Sequence, residues 1–117
     1  MDKVVTVLAR RWFDKKNGNT YHSVKVYYDG HLVNTDIGLL TKIIYGYGSA
    51  WEQTALKVLY DQDVYKPLVV GSFQVNNTTV SNYSTSLRRV VVEQNGDRLV
   101  YDVVDVNSKK QLYFLVV

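Results

Sequence analysis

The chain has 117 residues, of which 46% are apolar and 21% charged, a composition typical of one globular domain. It contains no cysteine, so disulfide frameworks, thiolate nucleophiles and cysteine-ligated metal sites are excluded. The net charge is +3, and the surplus lies in residues 1–28, where six basic side chains accompany two acidic ones. Such a segment is typical of contact with a polyanion, although small basic patches also occur on ordinary solvated surfaces.

The N-terminal segment shows no signal for export or membrane insertion. Its apolar run, Val4 to Ala9, is too short to span a bilayer, and no small-residue cleavage site follows it. We therefore expect a protein of the cytoplasm that has no membrane partner.

The first element predicted is a β-hairpin. Strand-like alternation runs through Val4–Phe13 and Thr20–Tyr28, and the six-residue loop 14–19 contains an Asn-Gly pair that can supply positive φ. This loop length pairs Ala9 with Val24 across the hairpin.

A second hairpin is predicted at Asp29-Gly30, which is a strong short-range signal for a two-residue type I′ turn. A third strand at residues 31–37 completes a meander over residues 3–37. Alternation gives this meander one apolar face. The residues predicted for that core face are Val5, Val7, Ala9, Val24, Val26, Val33 and Ile37.

An amphipathic helix is predicted over residues 49–61. Ser49 and Glu52 have the spacing of a capping box, in which each side chain bonds a backbone N–H at the helix start. Apolar residues then recur at helical spacing, at Trp51, Ala55, Val58 and Leu59. The stretch 39–47 before the helix stays ambiguous between a strand and a buried helical turn.

Residues 68–117 are predicted to form a second β-meander. Leu68–Val75 and Leu87–Glu93 are rich in β-branched residues, which favour strands. The polar stretch between them, Asn76–Ser86, is expected to be a loop. Gln111–Val117 is almost wholly apolar, as is typical of a strand that is central or covered on both faces.

A further two-residue hairpin is predicted at Asn95-Gly96 within this meander. Its register places two pairs of opposite charge across the strands, and such pairs stabilise neighbouring strands. These pairs are Glu93 with Arg98 and Arg89 with Asp102. The elements together predict a single domain, residues 1–117, of the α+β class, with antiparallel β-meanders packed around one amphipathic α-helix.

The face of the first meander opposite the valines is the candidate binding surface. Aromatic rings and cations are interleaved there, and single-stranded nucleic acid needs both, because bases stack on rings while Arg and Lys meet phosphates. The candidate nucleic-acid contacts are Arg10, Arg11, Trp12, Lys15, Lys16, Tyr21, Lys25 and Tyr27. The alternative is that other elements cover this face and the rings are core residues, as most tyrosines of a small β-rich domain are.

The remaining residue clusters favour no chemistry. His22 and His31 fall on the predicted core face with no carboxylate beside them, so we expect no metal site. Ser23 follows His22 on a strand and points to the other face, so the two cannot act as a nucleophile and its base. No carboxylate pair is placed for acid–base work, and we expect neither an enzyme nor a cofactor.

A glycine-containing string, Tyr45-Gly46-Tyr47-Gly48, precedes the helix. Backbone N–H groups in such a position can meet an anion, and the aromatic residues Tyr45, Tyr47 and Trp51 form a candidate pocket for a small molecule. Glycines at this point are also explained by a tight loop into the helix.

Three strings of the N-terminal half resemble a pattern of small uncharacterised proteins of tailed bacteriophages. They are Ala9-Arg10-Arg11-Trp12-Phe13, Gly18-Asn19-Thr20-Tyr21-His22-Ser23-Val24 and Tyr45-Gly46-Tyr47-Gly48, and they are followed by Thr54-Ala55 and Leu59. The resemblance covers residues 7–60 and brings no site residues with it. It implies an accessory protein that acts in the host cytoplasm and binds a host or phage macromolecule.

Two functional hypotheses follow. The first is a non-enzymatic accessory protein that binds nucleic acid through its basic, aromatic N-terminal hairpin. The alternative is a protein–protein module, either a homodimer or an inhibitor of a host defence factor, for which the apolar strand 111–117 offers an edge for pairing with another chain.

Overall fold

The structure is a computed structural model that describes residues 2–33, 44–46 and 48–113. Strands make up 47% of it. They are β1 (Val4–Asp14), β2 (Asn19–Tyr28), β3 (His31–Leu32), β4 (Ile44–Tyr45), β5 (Val69–Val75), β6 (Thr78–Tyr83) and β7 (Arg98–Val106). A helix, α1 (Ala50–Asp61), follows β4, a π-helical segment spans Arg89–Gln94, and a 3₁₀ turn spans Lys109–Leu112.

The two N-terminal hairpins form as predicted. β1 and β2 pair antiparallel with Ala9 opposite Val24, which is the predicted register. Asp29 and Gly30 have φ of 49° and 84°, and positive φ at both positions is what a type I′ turn requires. β3 covers only the start of the predicted third strand, and residues 34–37 lie outside the described residues.

The core lies between α1 and the valine face of the hairpin formed by β1 and β2. Five side chains of the predicted core face are at most 1% exposed, and α1 contributes four buried residues. The strand residues are Val5, Val7, Ala9, Val24 and Val26, and the helix residues are Trp51, Ala55, Leu56 and Leu59.

The start of α1 differs from the predicted capping box. The Ser49 side chain makes no capping hydrogen bond, and Glu52 Oε1 instead accepts a bond from the backbone N–H of Leu87 at 3.3 Å. Glu52 therefore ties the helix to a distant segment. Just before the helix, Gly46 is a steric requirement, because a Cβ there would lie 2.7 Å from that of Ala50.

The predicted strand Leu87–Glu93 and hairpin at Asn95-Gly96 are wrong, because this segment is helical. Gly96 has φ of +69°, but Asn95 has φ of −110°, which a type I′ turn does not allow. The N–H groups of Gly96 and Asp97 close the helical segment by bonding back to carbonyls of the preceding turn. Burial of Val90 and Val91 outweighs the strand propensity of the β-branched run.

The last strand overturns the predicted fold class. β7 lies beside β1 and runs parallel to it, so the main sheet is mixed and has the order β3-β2-β1-β7, with β4 also pairing with β2. Arg98 is paired with Val4, so the expected charge pair between Glu93 and Arg98 does not form across a hairpin. Over the residues that the structure describes, the protein is sheet-dominated with one short α-helix, and it is not built of antiparallel meanders around a helix.

A second sheet combines the predicted strand at 68–75 with a strand inside the segment predicted to be a loop. β5 confirms the predicted strand at 68–75, but it pairs with β6, which lies inside the polar stretch Asn76–Ser86. Asn76 and Asn77 have φ of 49° and 66° and make the turn between these strands. Asparagine tolerates this left-handed backbone better than most residues, so the Asn-Asn pair serves as a hairpin turn.

The predicted C-terminal strand is also different. Residues 111 and 112 belong to the 3₁₀ turn Lys109–Leu112, where Leu112 is fully buried. Ser108 caps the turn together with Gln111. Residues 114–117 lie outside the described residues.

The buried carboxylate of Asp97, the residue before β7, links the start of β7 to the segment before β1. Asp97 is 8% exposed and accepts hydrogen bonds from the Tyr65 hydroxyl at 2.5 Å and the Lys3 backbone N–H at 3.0 Å. Burial and the adjacent Asp97 charge raise the pKa of Tyr65, so the phenol stays protonated and donates. The next residue, Arg98, begins the parallel ladder by donating its N–H to Lys3 O.

We expect Tyr65→Phe to lower the free energy of unfolding by about 1.5–3 kcal/mol, the usual range for a hydrogen bond to a charged group. The substitution keeps the ring and leaves a buried Asp97 oxygen without its donor. Urea unfolding measures the effect. Tyr83→Phe, which removes an exposed hydroxyl on β6, is the control, and equal stabilities of the two variants would contradict the prediction.

Candidate functional site

The main sheet has one face against α1 and a second face on the opposite side, here called the open face. Alternation along β1 and β2 places five of the eight predicted contacts on it, namely Arg10, Trp12, Tyr21, Lys25 and Tyr27. Arg11 points to the α1 side of the sheet with His22, and Lys15 and Lys16 lie in the loop between the strands. The open-face side chains of the two strands are half-buried, except Ser23, which is buried. The open-face residues of the two strands are Thr6, Leu8, Arg10, Trp12, Tyr21, Ser23, Lys25 and Tyr27.

An aromatic row crosses three adjacent strands at one end of the open face. Trp12 on β1 stacks on its cross-strand partner Tyr21, with ring centroids 5.9 Å apart and planes at 24°. Tyr21 meets Tyr45 of β4 edge to face at 5.8 Å and 70°. Trp12 and Tyr21 are half-buried and Tyr45 is 53% exposed, so all three rings of the aromatic row remain accessible to a ligand.

The 3₁₀ turn covers the middle of the open face. Ser23 donates its hydroxyl to Leu112 O at 2.5 Å, and Arg10 donates Nη1 to Gln111 O at 2.8 Å. Arg10 and Ser23 are paired across the hairpin, so the turn lies between the aromatic row on one side and Tyr27 on the other. The alternative that other elements cover this face therefore holds for its central strip, whereas the rings of the aromatic row are half-buried or exposed.

Two clefts flank Trp12. The first has a volume of about 480 Å³ and combines the rings of Trp12, Tyr21 and Tyr113 with Lys109. Asp14 and Asn17 complete its lining. The second, of about 580 Å³, lies around the end of β1 and is lined by Arg11, Trp12, Phe13, Lys15, Thr20, Gly48, Asp105, Val106 and Asn107. A planar group that entered the first cleft would meet three aromatic rings and a lysine.

The basic side chains near the aromatic row, of which Lys109 and Lys110 were not among the predicted contacts, divide into exposed lysines and paired arginines. Lys15 and Lys16 are exposed in the loop between β1 and β2, and Lys109 and Lys110 are exposed on the 3₁₀ turn. The arginines serve the fold instead. Arg11 forms a two-point ion pair with Asp105, at 2.8 and 3.2 Å, and donates to Gly48 O at 3.1 Å.

Two further contacts fix charged groups on the open face, one near the aromatic row and one beyond the 3₁₀ turn. The Asn17 side chain, 2.8 Å from Asp14 Oδ2, lowers the pKa of the Asp14 carboxyl, with smaller contributions from backbone N–H groups and from Lys16. Asp14 therefore stays ionised and organises the loop that carries the lysines. Beyond the turn, the Lys25 ammonium lies 5.6 Å from the centre of the Tyr27 ring, a cation–π distance.

The candidate pocket at Tyr45, Tyr47 and Trp51 is not assembled by the described residues. Tyr45 lies on the open face beside Tyr21, whereas Trp51 is 6% exposed on the other side of the sheet and contacts Tyr101, with ring centroids 5.2 Å apart. Tyr47 lies outside the described residues.

The two histidines are in different environments. His31 is exposed on β3, while His22 is 2% exposed and its Nε2 lies 2.6 Å from Thr54 Oγ1 on α1. Its Nδ1 is buried without a hydrogen-bond partner. Among the described residues, no group of three or more His, Asp or Glu side chains could hold a metal ion.

Sequence reasoning missed Lys109 and Tyr113 as neighbours of Trp12 and did not place Tyr45 in the aromatic row. β7 runs parallel to β1, and this direction brings Lys109 and Tyr113 to the end of the sheet near Trp12. No local pattern in the sequence encodes the direction of β7. Tyr45 had a usable signal, since Ile44-Tyr45 is a β-prone pair within the ambiguous stretch before the helix.

Comparison with protein-family models, with curated proteins and with solved structures finds no match to this chain. Within the described ranges, no helix has the length and apolar character needed to cross a membrane.

We expect the protein to lose stability as the pH falls below about 6.5, the ordinary imidazole pKa, because burial lowers the pKa of His22. Between that lowered pKa and 6.5, the unfolded chain binds the proton more readily than the folded one, so protonation favours unfolding. Urea unfolding at pH 7.5 and at pH 5.5 measures the loss. His22→Gln should reduce it and His31→Gln should not; an undiminished loss in His22→Gln would refute this account.

Proposed function

We propose that this protein binds single-stranded nucleic acid on its open face, with bases stacking against the aromatic row and lysines meeting the phosphates. The observation that carries the proposal is the alignment of Trp12, Tyr21 and Tyr45 on three neighbouring strands. A sheet that presents adjacent rings in this way is a recurrent platform for unpaired bases.

Single strands fit this surface better than duplexes. The rings of Trp12 and Tyr21 are half-buried, and one cleft places Tyr113 beside them. Only a base that has left its own stack can insert a flat face into such a cleft, whereas a duplex presents its edges and its backbone. Stacking is tolerant of base identity, so this mode predicts weak sequence preference.

The phosphate contacts come from the two lysine pairs at this end of the sheet. Lys15 and Lys16 lie on the loop after β1, and Lys109 and Lys110 lie on the turn that follows β7. The first cleft contains Lys109 and the second contains Lys15, so cations lie on both sides of Trp12. Arg10 and Arg11 hold the turn and the end of β7, and in this proposal they position the surface.

The proposal is one of binding without catalysis or a cofactor. The resemblance of the N-terminal strings to tailed-bacteriophage proteins favours an accessory role in the host cytoplasm as the setting. The alternative function, a protein–protein module built on an apolar edge at 111–117, loses part of its motivation, because Leu112 is buried in the 3₁₀ turn.

Removing a stacking ring should weaken binding to a short fluorescent oligonucleotide. We expect Trp12→Leu and Tyr21→Leu each to raise Kd by about 5- to 150-fold, since base–aromatic stacking contributes roughly 1–3 kcal/mol per base. Fluorescence anisotropy at low salt measures Kd. Tyr83→Leu is the matched control, because the Tyr83 ring on β6 is 53% exposed and lines neither of the two clefts beside Trp12.

Binding that is absent at low salt, or a Trp12→Leu variant that binds as tightly as Tyr83→Leu, would remove the proposal. Unlabelled duplex of the same sequence should compete less well than the single strand. Stronger competition by the duplex would contradict the stacking mode.

Removing a lysine should change the salt dependence of binding. We expect Lys109→Ala to weaken binding and to reduce the slope of log K against log salt by about 0.7, the value for one phosphate contact on a single strand. Lys57→Ala is the control, since Lys57 is exposed on α1 and paired with Asp61 at 3.1 Å. A slope that is equal in the two variants would exclude Lys109 as a phosphate contact.

A further inference from the structure

The hairpin of β5 and β6, here called the ribbon, is exposed along almost its whole length. Of the residues in its two strands, only Ser81 is partly buried, and the others are exposed. An isolated two-stranded hairpin is at best marginally stable in water, and three or more strands or a packing partner are normally needed. The ribbon therefore has the form of an element that gains stability when something covers it.

The ribbon has one apolar face and one polar face. Phe73 is paired with Val80, and Val75 follows two positions along the strand on the same side; they are 47%, 36% and 46% exposed. The opposite face carries the polar pairs Ser72 with Ser81 and Gln74 with Thr79. This alternation is typical of a sheet that is covered on one side, and here the apolar side faces solvent.

The segment that contains the ribbon carries no charge. Residues 67–87 include no Lys, Arg, Asp, Glu or His, although 21% of the whole chain is charged. Nucleic acid and anionic membranes are bound through cations, so the ribbon has no means of attracting them. A partner of the ribbon must itself present an uncharged, apolar surface.

We propose that the apolar face of the ribbon packs against the same face of a second copy of this chain, related by a two-fold axis. A two-fold contact requires a self-complementary patch, and an apolar centre with a rim of threonine and asparagine meets that condition. Two copies that each carry a charge of +3 repel one another elsewhere, and the uncharged ribbon is where they can touch without opposing like charges. The two ribbons stack as a small sandwich with Phe73 at its centre.

The size of the ribbon sets the strength of this dimer. Its strands are roughly 20 Å long and the pair is roughly 10 Å wide, so the stacked faces bury a few hundred Å² on each copy. This is less than the roughly 1,000 Å² of total buried surface that stable complexes exceed, so the contact is a weak and reversible one. We therefore expect a dimer that dissociates on dilution through the micromolar range.

Sedimentation of the full-length protein without nucleic acid tests the proposal over roughly 5 to 500 µM, a range centred on micromolar Kd. The average mass should rise from 13.4 kDa towards twice that value with increasing concentration. Phe73→Lys should keep the protein monomeric, because two lysines would meet across the two-fold axis. Ser72→Lys, which adds the same charge on the neighbouring residue of the polar face, should dimerise as the wild type does.

Several outcomes would overturn the dimer. They are a wild type that stays monomeric at the highest concentration, a Phe73→Lys variant that self-associates as well as Ser72→Lys, or species larger than a dimer. Circular dichroism of both variants, which change exposed residues, checks that each keeps the wild-type fold. Added salt should leave the dimer intact while it weakens oligonucleotide binding, so the two proposals can fail independently.

Discussion

The structure depends on the alternation of side chains along β1. This strand lies between β2 and β7 and has a ladder partner on both sides. Val5, Val7 and Ala9 point towards α1 and are almost fully buried, so burial of the valine face fixes the register of the whole sheet. The intervening residues, Arg10 and Trp12 among them, are thereby forced onto the open face. The hydrophobic core and the candidate binding surface are consequences of one strand register.

The direction of β7 decides what lies near the aromatic row. Because β7 runs parallel to β1, it ends beside Trp12, and the chain leaves it at the same end of the sheet as the loop after β1. An antiparallel strand would have delivered Lys109 and Tyr113 to the opposite end. The buried Asp97, held by the Tyr65 hydroxyl and by the backbone N–H of Lys3 just before β1, anchors the start of this strand. The hydrogen bonds of Asp97 at one end of the sheet therefore help to position β7, and the chain that follows β7 lines the clefts beside Trp12 at the other end.

The molecule separates two kinds of surface chemistry. The end of the sheet near Trp12 combines rings with lysines, whose interactions with an anion weaken as salt screens them. The ribbon combines Phe73, Val75 and Val80 with uncharged polar residues, and its interactions do not depend on screening. In the two proposals, the charged surface binds a polyanion and the uncharged ribbon binds a second copy, so added salt is expected to weaken the first contact and not the second.

The sequence by itself determined what depends on neighbours in the chain: the first two hairpins, the valine core face and helix α1, because turn chemistry and side-chain period act locally. It also placed Trp12 and Tyr21 together on one face. Only the tertiary structure decided that Asn95-Gly96 closes a helical segment, since the same glycine conformation serves a hairpin and a helix end and burial of Val90 and Val91 selects between them. The sequence likewise does not show that β7 pairs parallel to β1, because the pairing of strands that are distant in the chain depends on how the whole core packs.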